Sequence, residues 1–253
     1  MDQSMRDRVA IVTGASNGIG KGIAEAFAAA GAKVVLVARR KDVLDGVARD
    51  IASSGGQAMA APCDVTNEAE VVALFQRARD AYSRVDIVVN NAGVASGTAI
   101  DALSLAAWND VVAINLTAVF LMCREAVKVM KAQSPQGGRI INMGSVSAKT
   151  PRPDSIAYTA TKHAIQGMTH QLTMDGRQYG VVASVIHPGA TLSSFTSRRG
   201  RTDAGPGATP DDYVMSAADV AKVAVLMCSL PPEVNLYEAT ILPNNMRSFI
   251  GRG

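Results

Sequence analysis

The sequence predicts an α/β protein built on one doubly wound parallel sheet of about seven strands, with helices on both faces. Short apolar segments rich in β-branched residues alternate with longer segments of helical period. Most of the predicted strands are almost continuously apolar at their centres, as strands buried on both faces must be. The 253 residues, 48% of them hydrophobic, can bury one large core. We therefore expect a single domain over residues 1–253.

The elements follow one another in a regular order along the chain. We predict strands at Val9–Thr13, Lys33–Ala38, Gln57–Pro62, Asp86–Asn90, Arg139–Met143, Val181–His187 and Glu238–Leu242. The segments of helical period lie at Gly20–Ala30, Lys41–Ser53, Asn67–Tyr82, Leu105–Gln133, Ser155–Tyr179 and Ala217–Cys228. Asn67 and Glu70 have the spacing of a capping box at a helix start. Gly31 follows three alanines and suits the left-handed residue that ends a helix.

Composition and charge exclude several classes of function. The net charge is +3 and the lysines and arginines are scattered, which argues against a nucleic-acid partner. No apolar run approaches the length of about 18 to 20 residues that a membrane span needs, so no membrane partner is expected. The N-terminus lacks the apolar region of a signal peptide. The three cysteines are dispersed, as expected for reduced thiols, and we expect a cytoplasmic protein.

A glycine-rich turn follows the first strand, from Thr13 to Gly20. Glycines allow a sharp turn and a close approach of the backbone to a pyrophosphate, and the helix N-terminus presents free N–H groups. We predict a dinucleotide site formed by Gly14, Ser16, Asn17, Gly18, Ile19 and Gly20. The alternative is a plain link between a strand and a helix.

Tyr158 and Lys162 lie four residues apart on one predicted helix, after a serine at position 145. Side chains at this spacing share a helix face, so a phenol lies beside an ammonium group. The cation favours the phenolate and lowers the pKa of the phenol, which suits the pair to proton transfer. A surface pair of Tyr and Lys is the alternative when the two residues are considered alone.

Taken together, these motifs resemble the short-chain dehydrogenases/reductases, in the branch whose chains have about this length and carry a Ser-Tyr-Lys-Asn tetrad. The resemblance runs nearly end to end and implies a Rossmann-type fold. The matching motifs, in chain order, are Thr13 to Gly20, Asp64-Val65, Asn90-Asn91-Ala92-Gly93, Asn115, Ser145, Tyr158 with Lys162, and Pro188-Gly189.

The resemblance implies roles for residues after the third, fourth and sixth strands. Asp64 and Val65 would hold the adenine ring, although Asp64 alone could simply cap the next helix. The segment from Asn90, with Asn91, Ala92 and Gly93, would support the sheet beside the adenine ribose, or be only a tight strand exit. Residues on the nicotinamide side would be Pro188, Gly189, Thr191 and Ser193.

Two arginines follow the second strand, where the family often carries an acidic residue for the ribose of NAD. Arg39 and Arg40 can pair with a 2'-phosphate, so we predict a preference for NADP(H). The alternative is that both guanidinium groups are solvated or stack on adenine, which leaves NAD(H) possible.

The family resemblance implies an oxidoreductase that transfers a hydride between the nicotinamide and a carbonyl or secondary alcohol. Tyr158 would be the general acid and base, Lys162 would lower its pKa and bind the nicotinamide ribose, and Ser145 would hydrogen-bond the substrate oxygen. Asn115 would hold a water for a proton relay, or brace a helix backbone. Val94 and Ser147 are further candidates for substrate contacts. A cofactor-binding regulatory or scaffold protein, and an isomerase or dehydratase, are the alternatives.

Three expectations concern the surroundings of the site. A polar segment at 193–215 is interpreted as a substrate flap, with a tolerated insertion as the alternative. Its arginines, Arg198, Arg199 and Arg201, are either solvated or meet an anionic substrate group. The two long helices carry apolar residues on more than one face, which suggests a subunit contact, and the family resemblance implies a homotetramer or homodimer. No metal-ligand set is present, and packing or interface roles are expected for His163, His170 and His187.

Overall fold

A seven-stranded parallel sheet forms the centre of the computed structural model, which describes residues 4–95, 97–192, 214–244 and 246. The strands are β1 (Val9–Thr13), β2 (Lys33–Ala38), β3 (Gln57–Pro62), β4 (Ile87–Asn90), β5 (Gly138–Met143), β6 (Val181–Pro188) and β7 (Glu238–Ile241). Their spatial order is β3-β2-β1-β4-β5-β6-β7, and every neighbouring pair is parallel. The predicted fold class is confirmed, and each strand lies within one residue of its predicted ends.

Seven α-helices connect the strands in the described part of the chain. They are α1 (Gly18–Ala29), α2 (Lys41–Ser53), α3 (Glu68–Tyr82), α4 (Leu105–Val112), α5 (Ala118–Ala132), α6 (Ile156–Gly176) and α7 (Ala217–Ser229). A π-helical turn, Ala113–Thr117, joins α4 to α5, and short 3-10 segments lie at Val146–Ala148 and Arg177–Tyr179. The prediction of one continuous helix over Leu105–Gln133 was therefore wrong at Ala113–Thr117, where the helix has a π turn. The pattern of apolar residues shows which face of a helix is buried, but it does not show that one helical turn contains an extra residue.

Alternate residues of the central strands face opposite sides of the sheet, so the core has two halves. Ala10 and Val12 of β1 pack with residues of α1, α2 and α7, whereas Val9 and Ile11 pack with residues of α3, α5 and α6. All four β1 side chains are buried. This burial on both faces explains the near-continuous apolar character of the strand sequences.

The helical stretch Leu105–Ala132 is more apolar than the sequence reading expected. An 18-residue window within it has a mean hydropathy of 1.6, which by length and composition alone is enough to cross a membrane. This is weak evidence for a membrane span, since core helices have the same properties. In this structure α5 packs against α3, β4 and β5, with Met122, Ala126 and Met130 buried in the core.

The order of the strands creates a crevice at one edge of the sheet. The chain runs outward from β1 to β3 and then returns to place β4 on the other side of β1. The loops after β1 and β4 therefore leave the sheet in opposite directions, and ligands of such sheets bind at this switch point, beyond the carboxyl ends of the strands. The predicted site residues follow these strand ends.

The two ends of the predicted flap come together on the body of the protein. Thr191 pairs with Met215 in a parallel bridge, and the backbone N–H of Leu192 donates to the Met215 carbonyl at 2.8 Å. Met215 is buried, so the end of the predicted segment 193–215 packs on the core. Ser193, Arg198, Arg199 and Arg201 lie outside the described residues.

Candidate active site

A cleft of about 1020 Å³ opens at the carboxyl ends of the strands. It brings together most of the residues that the sequence predicts for the site. The predicted residues on its walls are Gly14, Ser16, Asn17, Gly18, Ile19, Arg39, Arg40, Asp64, Val65, Asn91, Ala92, Gly93, Val94, Ser145, Ser147, Tyr158, Lys162, Pro188, Gly189 and Thr191. Gly20 and Asn115 are buried behind these walls.

The glycine turn is folded so tightly that side chains would not fit at two of its positions. Gly14 has a φ of +67°, and a Cβ atom there would lie 2.7 Å from Nδ2 of Asn91. A Cβ atom at Gly20 would lie 2.3 Å from the Gly14 carbonyl oxygen. Gly20 thus lets α1 start directly against the turn, and α1 directs its free N–H groups toward the cleft.

Hydrogen bonds of Thr13 link the start of the glycine turn to the end of β4 and the residues after it. Its hydroxyl oxygen accepts hydrogen bonds from the backbone N–H groups of Asn91, at 2.9 Å, and Ala92, at 3.0 Å, and the hydroxyl donates to the Val89 carbonyl at 3.2 Å. The Asn91 side chain returns a bond to the Thr13 carbonyl at 3.0 Å. These bonds join the exit of β4 to the end of β1, and the role implied for Asn90 to Gly93 beside the adenine ribose stays a prediction.

Arg39, Arg40 and Asp64 lie together where β2 and β3 end. Both guanidinium groups are exposed on the cleft wall. Two hydrogen bonds from Thr66 to the Asp64 carboxylate hold the pKa of that carboxyl below its usual value. Asn67 caps α3, because its side chain accepts from the Ala69 and Glu70 N–H groups. The alternative of Asp64 as the cap of that helix is therefore wrong.

Ser145, Tyr158 and Lys162 converge where β5 ends and α6 begins. The Lys162 Nζ atom lies 5.5 Å from the centroid of the Tyr158 ring and donates to the Met143 carbonyl at 2.7 Å. Burial lowers the pKa of Lys162 to about 8. The Ser145 Oγ atom accepts from the Ser147 backbone N–H at 3.1 Å, so its own O–H can be donated into the cleft.

The Asn115 side chain extends from the π-helical turn and hydrogen-bonds to the loop after β4. Its Oδ1 atom accepts from the Val94 N–H, and its Nδ2 atom donates to the Val94 carbonyl, both at 2.8 Å. Nδ2 also lies 3.4 Å from Oγ1 of Thr161 on α6. Asn115 therefore fixes Val94 as part of the cleft wall, a role that differs from bracing a helix backbone.

Comparisons with known proteins agree with this arrangement. The family model described as short chain dehydrogenase matches residues 8–204. This chain belongs to the short-chain dehydrogenase family. It is 32% identical over 246 residues to dehydrogenase/reductase SDR family member 11 of Mus musculus, covering 94% of this chain and 95% of that protein.

Two further members of the short-chain dehydrogenase family show how far the similarity extends. A 3-oxoacyl-[acyl-carrier-protein] reductase of Synechocystis sp. is 38% identical over 190 residues, covering 75% of this chain and 76% of that protein. A solved structure of a metagenomic short-chain oxidoreductase in complex with NADP has a TM-score of 0.78 and 32% identity. It covers 94% of this chain and 98% of that chain.

The cleft fits the nicotinamide dinucleotide that a short-chain dehydrogenase uses. Gly14 and Gly20 let the turn pack tightly against the exit of β4, with the N-terminus of α1 at the cleft, and Arg39 and Arg40 supply positive charge at the end of β2. Among the described residues, no group of three or more His, Cys, Asp or Glu side chains could hold a metal ion. The N-terminus of α1 and the two arginines suit a cofactor with anionic phosphates.

The sequence reading missed two charged residues on the walls of this short-chain dehydrogenase cleft. Arg152 lies in the loop before α6, close to Ser155, and Asp110 lies on α4 one turn before Ile114. The sequence pointed to the loop that contains Arg152, because Ser147, five residues earlier, was predicted to contact the substrate. Nothing in the sequence marked Asp110 as a cleft residue, since a single acidic residue on a helix is common.

Proposed function

We propose that the chain transfers a hydride between NADP(H) and a carbonyl or secondary alcohol, with Tyr158 as the general acid and base. The convergence of Ser145, Tyr158 and Lys162 in the cleft that also contains the glycine turn carries this proposal. The nicotinamide, when bound, accepts or supplies the hydride.

The side chains of the chain manage the proton and the charge on the substrate oxygen. In the reducing direction, the Tyr158 phenol gives its proton to the alkoxide that forms, and the Ser145 O–H donates a hydrogen bond to the same oxygen. With a pKa of about 8, the Lys162 amine is mostly an ammonium group at neutral pH, and this cation favours the phenolate that Tyr158 leaves behind. The proton relay expected at Asn115 stays a prediction.

Replacement of the phenol tests the proposed role of Tyr158. In Tyr158→Phe we expect turnover to fall by roughly three orders of magnitude, the usual contribution of a positioned acid, while the Kd for NADPH stays within about twofold. Tyr179→Phe is the matched control, because Tyr179 lies outside the cleft. Near-normal turnover in Tyr158→Phe would show that another group moves the proton.

The preference for NADP(H) is supported by the two exposed guanidinium groups at the end of β2. We expect wild-type kcat/KM to be at least about tenfold higher with NADPH than with NADH, since a charge-assisted hydrogen bond to the 2'-phosphate contributes at least this factor. Arg39→Leu should lower kcat/KM with NADPH and leave NADH use unchanged, whereas Arg49→Leu on α2 should alter neither. Equal or better use of NADH by the wild type would contradict the preference.

The substrate, assembly and location of the protein are further parts of the proposal. A panel of ketones and secondary alcohols, including a 3-oxoacyl thioester because of the Synechocystis relative, would define the substrate class. Assembly as a homodimer or homotetramer is supported by Phe120 on α5 and Met174 on α6, which are 49% and 67% exposed. A cytoplasmic location is supported by three buried free thiols. The segment 193–215 is proposed as the substrate flap.

A further inference from the structure

A buried histidine lies directly behind Ser145. His187, near the end of β6, is 0% exposed, and its Nδ1 atom lies 3.2 Å from the Ser145 backbone nitrogen and 3.0 Å from the Ser145 carbonyl oxygen. The ring occupies the space next to Gly144, where a Cβ atom would lie 2.4 Å from Nδ1. The imidazole therefore packs against the peptide that carries the serine.

The other edge of the imidazole faces a carboxylate on the neighbouring strand. Within the described part of the chain, the His187 Nε2 atom is buried with no hydrogen-bond partner, and Oε1 of Glu238 lies 4.0 Å from it. The Glu238 carboxylate is itself held by Lys149, which contacts Oε1, and by Gln166, which donates to Oε2 at 3.0 Å. A fixed negative charge thus lies beside Nε2.

The surroundings of the ring decide which nitrogen carries the proton. Nδ1 can accept from the Ser145 N–H or donate to the Ser145 carbonyl, but it cannot do both. The carbonyl already accepts from the Ala148 N–H at 2.9 Å, whereas the Ser145 N–H has His187 as its acceptor. A proton on Nε2 would also point toward the negative Glu238 carboxylate.

We infer that His187 is a positioning residue for Ser145, as a neutral imidazole that carries its proton on Nε2 and accepts the Ser145 backbone N–H at Nδ1. The bond fixes the peptide at the end of β5 and so directs the Ser145 hydroxyl toward the substrate oxygen. This inference rests on the proposed function of Ser145 and goes beyond the packing or interface role expected for the histidine.

Three charged groups face the ring from the elements around it. Burial is the largest influence and lowers the pKa of His187, while the Ser145 carbonyl and the Glu238 carboxylate on β7 raise it. The ammonium groups of Lys149 and of Lys162 on α6 lower it again. The net effect is that the pKa of His187 lies below its ordinary value, which agrees with a neutral ring at neutral pH.

Nitrogen NMR of the 15N-histidine-labelled protein without cofactor tests the placing of the proton at neutral pH. The sequence has three histidines, so His187→Asn identifies the signals of His187. We expect Nδ1 to show the shift of an unprotonated nitrogen and Nε2 that of a protonated one. A proton on Nδ1, or a charged ring, would overturn the inference.

Paired variants test the effect of His187 on Ser145 in the full enzyme. His187→Leu removes the acceptor and should lower kcat roughly ten- to a hundredfold, with the Kd for NADPH within about twofold, because a small misplacement of a reacting group has this effect. His187→Asn carries an amide oxygen at the position of Nδ1 and should restore most of kcat. His163→Asn, an exposed control on α6, should resemble the wild type.

The outcomes of the two experiments separate the inference from the proposed function. Normal kcat in His187→Leu, or no recovery in a folded His187→Asn, would overturn the positioning role. A wild-type protein without turnover on any carbonyl would defeat the proposed function, whereas the NMR spectrum would still show which nitrogen carries the proton. If both variants fail to fold, His163→Asn and His170→Asn assign the other two histidines, and the remaining signals of the wild-type spectrum decide the inference.

Discussion

The buried amine of Lys162 should make a contribution to the stability of the unliganded protein that increases from neutral to alkaline pH. Burial lowers the pKa of this amine from its ordinary value of 10.5 to about 8. Between these two values the unfolded chain binds more protons than the folded chain, so this group makes the free energy of unfolding rise with pH. Lys162→Met removes the titrating group and should remove this part of the pH dependence.

The size of the effect follows from the two pKa values. A shift of this size corresponds to about 3 kcal/mol over the whole window, of which about 1 kcal/mol appears between pH 7 and pH 9. Lys162 is 6% exposed, so screening by solvent reduces this figure little. The free energy of unfolding is measured at both pH values by urea denaturation, at one protein concentration, with the fluorescence of Trp108, the single tryptophan.

The difference between wild type and Lys162→Met is more informative than either value alone. It should change by about 1 kcal/mol in favour of the wild type from pH 7 to pH 9, whatever the constant effect of losing the bond to the Met143 carbonyl. Lys222→Met is the control, because the Lys222 side chain is 77% exposed and its difference from wild type should not change with pH. A difference for Lys162→Met that stays constant, or moves the other way, would refute the reasoning.

Two further predictions concern the cofactor turn. Thr13→Val should lower the free energy of unfolding by about 3 kcal/mol in urea denaturation, because two N–H groups and one carbonyl lose their partner, whereas Thr13→Ser should remain near wild type. Gly20→Ala should weaken NADPH binding at least about tenfold in calorimetry, since its Cβ atom would force Gly14 outward. Gly46→Ala on α2, where a Cβ atom meets nothing within 4 Å, should instead stabilise the protein by about 1 kcal/mol. Tight NADPH binding by Gly20→Ala, or wild-type stability of Thr13→Val, would contradict these contacts.

The strands could be predicted from the sequence because their signal is local. A continuous apolar segment such as Val34–Leu36 in β2 is typical of a parallel strand that is buried on both faces of a sheet, and the observed β2 has the predicted ends. The glycine turn could also be predicted, because Gly14 has a positive φ and Gly20 approaches the Gly14 carbonyl six residues before it. Both of these requirements arise from residues that are close in the chain.

The contacts that complete the site could not be predicted, because they join distant positions. His187 and Ser145 are 42 residues apart, and Thr13 and Asn91 are 78 apart. No periodicity or spacing reports such a pair. The resemblance to the family identified Ser145, Asn91 and the motif that begins at Thr13, but it did not predict that Thr13 bonds to the Asn91 segment or that His187 lies behind Ser145.

The π-helical turn at Ala113–Thr117 determines how the side chains of α5 are rotated about the helix axis relative to those of α4. Before the turn, Asp110 faces the cleft, and after it Met122 and Ala126 face the core. Deleting one residue would restore a regular α-helix with better hydrogen bonds, but it would rotate all that follows by about 100°. A redesign for greater stability that regularised this helix would therefore lose either the wall of the cleft or the packing of α5 on the sheet.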